Sequence, residues 1–224
     1  MIGFDADDTL WENQLLFDET EELLCRLVAP YATPEEVADI LFDTEMKNME
    51  IYKYGVKPYI LSVIETALKI SNEKITASEI GQLIERGKHM LNAPLILMKG
   101  VEETLRRLQP HYSLMVVTKG DLLDQQRKVT RSGLASYFNH VEIMPDKTVS
   151  NYRDLFCKYG LAPEEFLMVG NSIKSDILPV LELGGKAIQV PCERVWQHEH
   201  VETTVKIEEL SSLDKLPDWL EIPF

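Results

Sequence analysis

The sequence predicts an α/β protein, a doubly wound parallel sheet with an inserted α-helical domain. Three observations predict it. Short apolar runs ending in polar or glycine residues recur at SLMVVTKG (113–120), HVEIM (140–144), EFLMVGNS (165–172) and KAIQVP (186–191), and IGFD stands at the start. Helix-like segments at 99–109, 121–132, 148–159 and 175–183 separate these runs. From about 15 to 93, apolar residues repeat at helical spacing and nothing reads as a strand.

The five runs are rich in Val, Ile, Leu, Met and Phe, as strands buried on both faces are, with Met144 and Met168 as core residues. Their alternation with helices implies parallel pairing, helices on both faces and right-handed crossovers. In the middle stretch, Leu15, Leu16, Phe17, Leu23, Leu24, Leu27 and Val28 recur every three or four residues, as do Ile60, Leu61, Val63, Ile64 and Leu68. Two helix starts are written there: Thr33 before Pro34 and Glu36, and Thr76 or Ser78 before acidic residues. The expectation is four or five helices at 15–93, with YKYGVKPY (52–59) as a turn or a substrate-facing loop between two of them, set into a core domain of 1–14 and 94–224. The C-terminal stretch from Val195 predicts a closing helix and a tail packed by Trp219 and Phe224.

At 224 residues, 45% apolar and 27% charged, the composition is that of a globular protein of one large or two modest domains. No apolar run nears the ~20 residues that span a bilayer, and no secretory leader is visible. Cys25, Cys157 and Cys192 are three in number and far apart, which fits neither a disulfide framework nor a metal-spaced set and suits a reducing cytoplasm. Lys and Arg total 23 against 37 Asp and Glu, for a net charge of −14. With no basic stripe, this argues against nucleic acid and anionic membranes as partners. It does not argue against a small anion, because screening beyond ~8 Å leaves the local charge in control.

The strand ends carry the chemistry, because ligands of open parallel sheets bind beyond their carboxyl edges. The first strand delivers Asp5 and, two residues on, Asp7. The second delivers Thr118, Lys119 and Gly120; Lys147 follows the third; the fourth delivers Gly170, Asn171, Ser172 and then Asp176. Carboxylates drawn out of water need a positive partner. Acids, a hydroxyl and an ammonium on one edge suit a hard divalent cation and a phosphoryl group. The first strand is short, either because it is brief or because residues precede Met1 in a longer chain.

These residues resemble the haloacid dehalogenase-like superfamily, whose members are mostly aspartate-dependent phosphatases. FDADDTL is similar to its first motif, MVVTKG to its second, MPDKTVSNYRDLF to its third and LMVGNSIKSDILPVLELGGKAIQVP to its fourth. The likeness covers about 1–12 and 95–192, and the helical stretch falls where one class of the family carries a cap that closes over the site. Asp-x-Asp-x-Thr alone would arise by chance in roughly a few per cent of chains this long. Four elements in order, each at a strand end, carry the resemblance.

The resemblance implies that Asp5 is the nucleophile that forms an aspartyl-phosphate, and that Asp7 protonates the leaving oxygen and later deprotonates water. It implies that Thr118 binds a phosphoryl oxygen, with Lys119 beside it as a further phosphate-binding candidate or a solvated lysine. Lys147 neutralises the nucleophile and the phosphoryl charge. Mg²⁺ is expected on Asp5, the Asp7 carbonyl, Asn171 and Asp176. The family's dehalogenases lack an acid at the position of Asp7, so its presence favours phosphoryl transfer to water from a small phosphorylated metabolite. The alternatives are a phosphomutase using the same residues and a weakly active phosphate-binding or interaction module. The latter is motivated by Asn171, which stands where the family has an Asp. Asp8 stands where glycine is usual and is expected in a turn, solvated. Lys174, His198 and His200 are expected to be solvated, and Trp11 either lines the cleft or packs a hinge. Nothing in the sequence sets an oligomeric state.

Overall fold

A computed structural model describes residues 1–222. The chain divides into two compact units, one of Met1–Gln14 and the chain from Leu95 onward, the other of Leu15–Pro94. In the first, β1 (Ile2–Phe4), β2 (Leu114–Lys119), β3 (His140–Met144), β4 (Leu167–Gly170), β5 (Lys186–Gln189) and β6 (Glu208–Glu209) form one sheet in the order β3-β2-β1-β4-β5-β6. Every neighbouring pair is parallel. The chain winds outward from β1 through β2 to β3, then returns to the other side of β1 as β4. The carboxyl end of β1 is therefore the point where winding reverses and where such sheets open a crevice.

Helices α1 (Gln14–Val28), α2 (Pro34–Tyr52), α3 (Val56–Ser71) and α4 (Ala77–Asn92) follow β1 in the chain. Thr33 with Glu36 and Thr76 with Glu79 form reciprocal capping boxes at the starts of α2 and α4, satisfying end N–H groups that a helix leaves free. The apolar stripes read from the sequence close on one another: Leu24, Val28, Val37, Leu41, Val63, Ala67 and Leu83 are buried together. The YKYGVKPY segment is the break between α2 and α3, at Lys53–Gly55.

In the sheet unit, α5 (Val101–Leu108), α6 (Leu122–Arg131), α7 (Val149–Tyr159) and α8 (Leu178–Glu182) connect successive strands. Side chains alternate between the faces with the period of a strand. Ile2, Phe4, Leu114, Val116, Leu167 and Val169 join Leu105, Leu108 and Val129 on one face. Met115, Val117 and Met168 join Tyr152, Phe156, Phe166 and Val180 on the other. Gly3 faces this second side because a Cβ there would lie 2.4 Å from the Phe166 ring.

Several details depart from expectation. β3 is an edge strand, and its Val141 is 40% exposed, so it is not covered on both faces. The expected helix at 175–183 begins as a π-turn over Ile173–Ile177 in which the Leu178 N–H reaches back five residues to the Ile173 carbonyl. Pro179 explains this: lacking an N–H, it fits the first turn of α8 but not the interior of a longer α-helix. The closing helix shrinks to a 3₁₀ turn at Leu213–Lys215 and α9 (Leu216–Trp219), preceded by the unexpected β6. Leu213, Leu216 and Ile222 fill the core there, while Trp219 is 41% exposed; Phe224 lies outside the described residues. Among the described residues, no helix is long and apolar enough to cross a membrane, and the three cysteines are free thiols.

Candidate active site

The turn after β1 builds the first part of the site. The Asp5 N–H continues the sheet to the Val169 carbonyl at 2.9 Å. The chain then folds so that the Ala6 carbonyl accepts from the N–H groups of Thr9, Leu10 and Trp11. Asp8 holds the turn in the left-handed region at φ 60°, which Asp tolerates better than most residues. It is not merely solvated: its carboxylate accepts from the Asn13 and Gln14 N–H groups and caps α1. Burial lifts Asp8 to about 6 against those bonds.

The sheet edge brings Asp5, Lys147 and Asp176 together. The Lys147 ammonium donates to Asp5 Oδ1 and, at 2.6 Å, to Asp176 Oδ1. Thr9 Oγ1 donates to Asp5 Oδ2 at 3.0 Å and lies 3.4 Å from Asn171 Oδ1. Asp176 is fixed from behind: its Oδ2 accepts from the Ser172 N–H at 3.0 Å. Gly170 is required there, since a Cβ would meet that Oδ2 at 2.3 Å. All three charged groups are buried. Burial, with the charges of Asp176 and Asp7, pushes the Asp5 carboxyl up to about 7 against the pull of Lys147. Burial disfavours the Lys147 ammonium too, but Asp176 and Asp5 outweigh it and hold lysine charged above its ordinary pKa.

Two buried carboxylates against one ammonium leave local negative charge. The oxygens around Thr9 and Lys147 are carboxylate and amide, a hard donor set that fits Mg²⁺ better than a softer metal. Among the described residues, no three His, Cys, Asp or Glu side chains converge as a metal group. The two carboxylates with the Asn171 amide oxygen fit an ion that binds one or two carboxylates and otherwise neutral oxygens.

Asp7 sits apart from this pair. Its Oδ1 accepts from Trp11 Nε1 at 2.7 Å and Lys128 Nζ at 3.0 Å, and its Oδ2 from Gln125 Nε2 at 3.0 Å. The Gln125 amide also donates to Thr118 Oγ1 at 2.8 Å, which leaves the buried Thr118 hydroxyl its own proton. Lys119 is turned to the 171–176 loop, donating to Ser175 Oγ at 2.8 Å and pairing with Glu199 at 2.5 Å. Glu199 also accepts from the Ser172 and Ser175 hydroxyls. Lys174 donates to the His198 carbonyl at 2.8 Å, and the His198 ring packs at a tilt against Trp196, so neither is the solvated residue expected.

The sequence placed Ser172 at the strand end and Thr9 in the first motif without giving either a role; it did not point to Gln125, Lys128, Ser175 or Glu199 as site residues. Gln125 and Lys128 carry a weak signal, three residues apart on the helix that follows the Thr118 strand end. Glu199 carries none.

Burial alone would raise Glu199, but the Lys119 charge and the hydrogen bonds from Lys119, Ser172 and Ser175 prevail and hold it at about 2. A carboxyl depressed in the folded state stabilises it fully above its unfolded pKa, near 4.5, and loses that contribution as pH falls towards 2. The unfolding free energy of wild type is therefore expected to fall by about 3 kcal/mol relative to Glu199→Gln between pH 5 and 2, measured by denaturant titration. A difference independent of pH would contradict the Glu199 network.

With this geometry in place, the sequence model of haloacid dehalogenase-like hydrolases matches residues 1–184. The chain belongs to that family and is a hydrolase. Over 199 residues it is 26% identical to a glyceraldehyde 3-phosphate phosphatase from Pyrococcus furiosus, covering 84% of this chain and 79% of that protein. A haloacid dehalogenase-like hydrolase from Xanthomonas campestris is 30% identical with a TM-score of 0.88, covering 98% of this chain and 89% of that one. The L-2-haloacid dehalogenase of Xanthobacter autotrophicus shares the fold at 18% identity and a TM-score of 0.68, over 98% of this chain and 97% of that one.

Proposed function

We propose that the chain is a Mg²⁺-dependent phosphatase acting on a small phosphate monoester through an aspartyl-phosphate, in a reducing cytoplasm. The observation that carries the reading is the pair of carboxylates at the end of β1 held in different ways. Asp5 is paired with Lys147 at the sheet edge, and Asp7 is held by three N–H donors two residues further on. A carbon–halogen cleaving site needs the first carboxylate and has no use for the second.

In this reading a carboxylate oxygen of Asp5 attacks phosphorus as the bond to the leaving oxygen breaks, and Asp7 gives that oxygen a proton. Water then gives its proton to Asp7 and attacks phosphorus, breaking the bond to Asp5 and releasing inorganic phosphate. Lys147 faces the charge on Asp5, and the Thr118 hydroxyl donates to a phosphoryl oxygen. Asp5, the Asp7 carbonyl, Asn171 and Asp176 would hold Mg²⁺, which supplies positive charge to the phosphoryl oxygens. The Leu15–Pro94 unit is the proposed cap and source of substrate specificity. The P. furiosus relative makes a three-carbon sugar phosphate the first substrate to try.

The test is phosphate release from a panel of small monoesters, glyceraldehyde 3-phosphate included, in Mg²⁺ and in excess chelator. Metal-dependent release, with no halide from 2-haloacids, is the expected result. Asn171, bringing no charge, favours one second reading, a module that binds phosphate with little turnover. Phosphate binding by folded, Mg²⁺-loaded protein without release from any ester would establish that reading instead.

A further inference from the structure

We propose that Trp11, Gln125 and Lys128 are positioning residues that fix the Asp7 carboxylate and direct its proton transfer to Oδ2. The proposal rests on the reading of Asp7 as the acid–base group. An ionised carboxylate offers about four lone-pair sites, two on each oxygen. Oδ1 accepts from both Trp11 and Lys128, which fills it, while among the described residues Oδ2 accepts from Gln125 alone. One position on Oδ2 is left for a proton. When Asp7 acts as acid, the Oδ2–H bond breaks and the proton joins the leaving oxygen as its bond to phosphorus breaks. When it acts as base, the water proton returns to the same atom.

The three donors are themselves committed to this task. Trp11 is 1% exposed, Gln125 2% and Lys128 8%. A buried ammonium is costly unless paired, and Lys128 also reaches Asn13 Oδ1 at 2.8 Å and, less closely, Asp124 at 3.9 Å. It thus ties Asp7 and the end of the same turn to α6. The Gln125 amide turns Nε2 and its two hydrogens to Asp7, Thr118 and the Lys119 carbonyl, which share them at 2.8–3.0 Å, and among the described residues its buried Oε1 has no hydrogen-bond partner. A buried acceptor left unmade costs stability. The reverse orientation would set that oxygen against a carboxylate and a carbonyl, so the acceptors dictate how the amide lies. Phosphate-binding Thr118 and acid–base Asp7 are then aligned by one side chain.

A merely structural cluster and a positioning cradle differ in how they respond to the leaving group. A p-nitrophenolate departs without a proton, whereas an alkoxide needs one. kcat/KM extends only through this first transfer, so it isolates the acid step. In Lys128→Met, kcat/KM for an alkyl phosphate is expected to fall about tenfold or more, within the 10²–10⁴ that general acid catalysis supplies. kcat/KM for p-nitrophenyl phosphate is expected to hold within about threefold, while its kcat falls because the same carboxylate activates water. Lys128→Arg is expected to recover much of the alkyl rate. Trp11→Phe removes one donor, keeps most of the buried ring and carries the same expectation if Lys128→Met fails to fold. Equal loss on both esters, or no loss on either, overturns the cradle alone. Wild-type protein inert towards both esters overturns the phosphatase reading and the cradle with it.

Discussion

Asp5→Asn is expected to lower phosphate release roughly 10³-fold or more while the protein stays folded. The amide is isosteric, so it can keep partners at both positions that Thr9 and Lys147 occupy, but its oxygen is too weak a nucleophile to displace an alcohol from phosphorus. The stability side follows from the charges. Asp5 is a buried carboxyl pushed up to about 7, and Lys147 retains Asp176 when Asp5 loses its charge. An unfolding free energy within about 2 kcal/mol of wild type is therefore expected by urea titration, against an activity loss worth about 4 kcal/mol in the transition state. Turnover surviving in a folded Asp5→Asn protein would remove the nucleophile from the account.

Lys147→Met is expected to damage both properties. The side chain is 1% exposed and separates two carboxylates whose own exposures are 10% and 1%. Removing the ammonium leaves buried like charges without their partner, a change that typically costs about 3–5 kcal/mol. Turnover is expected to fall about 10²–10³-fold, the scale on which removal of a group stabilising transition-state charge is felt. Raising Mg²⁺ should recover part of the stability, because a cation at Asp5 and Asp176 replaces the missing charge and binds only the folded form. Thermal unfolding of the variant at several Mg²⁺ concentrations measures this. A midpoint indifferent to Mg²⁺ would contradict the placement of the metal beside Lys147.

Much of the architecture was legible because it is written locally. The strands starting at Ile2, Leu114 and Leu167 are continuous apolar runs, and the helix starts at Thr33 and Thr76 carry their own caps. Asp5, Lys147 and Asp176 could be read as one group because parallel strands deliver their ends to one edge. What was missed depends on contacts that no local pattern records. β6 consists of Glu208 and Glu209, exposed residues in the stretch expected as a closing helix and tail. The edge position of β3 is a matter of strand order, not of His140–Met144 themselves. Glu199 reaches Lys119 across 80 residues from a stretch without helical or strand periodicity. Gln125 and Lys128 read as ordinary polar positions of an amphipathic helix until the turn after β1 places Asp7 against them.

The most direct test of the account is to look for the covalent intermediate. Enzyme quenched during steady turnover of its best ester is treated with borohydride, which reduces an acyl phosphate to an alcohol and would convert aspartyl-phosphate to homoserine. Peptide mass spectrometry then reads residue 5. Homoserine at position 5, dependent on substrate and Mg²⁺, is the predicted result. Steady turnover with Asp5 unmodified and the mark on another residue, or on none, would contradict it.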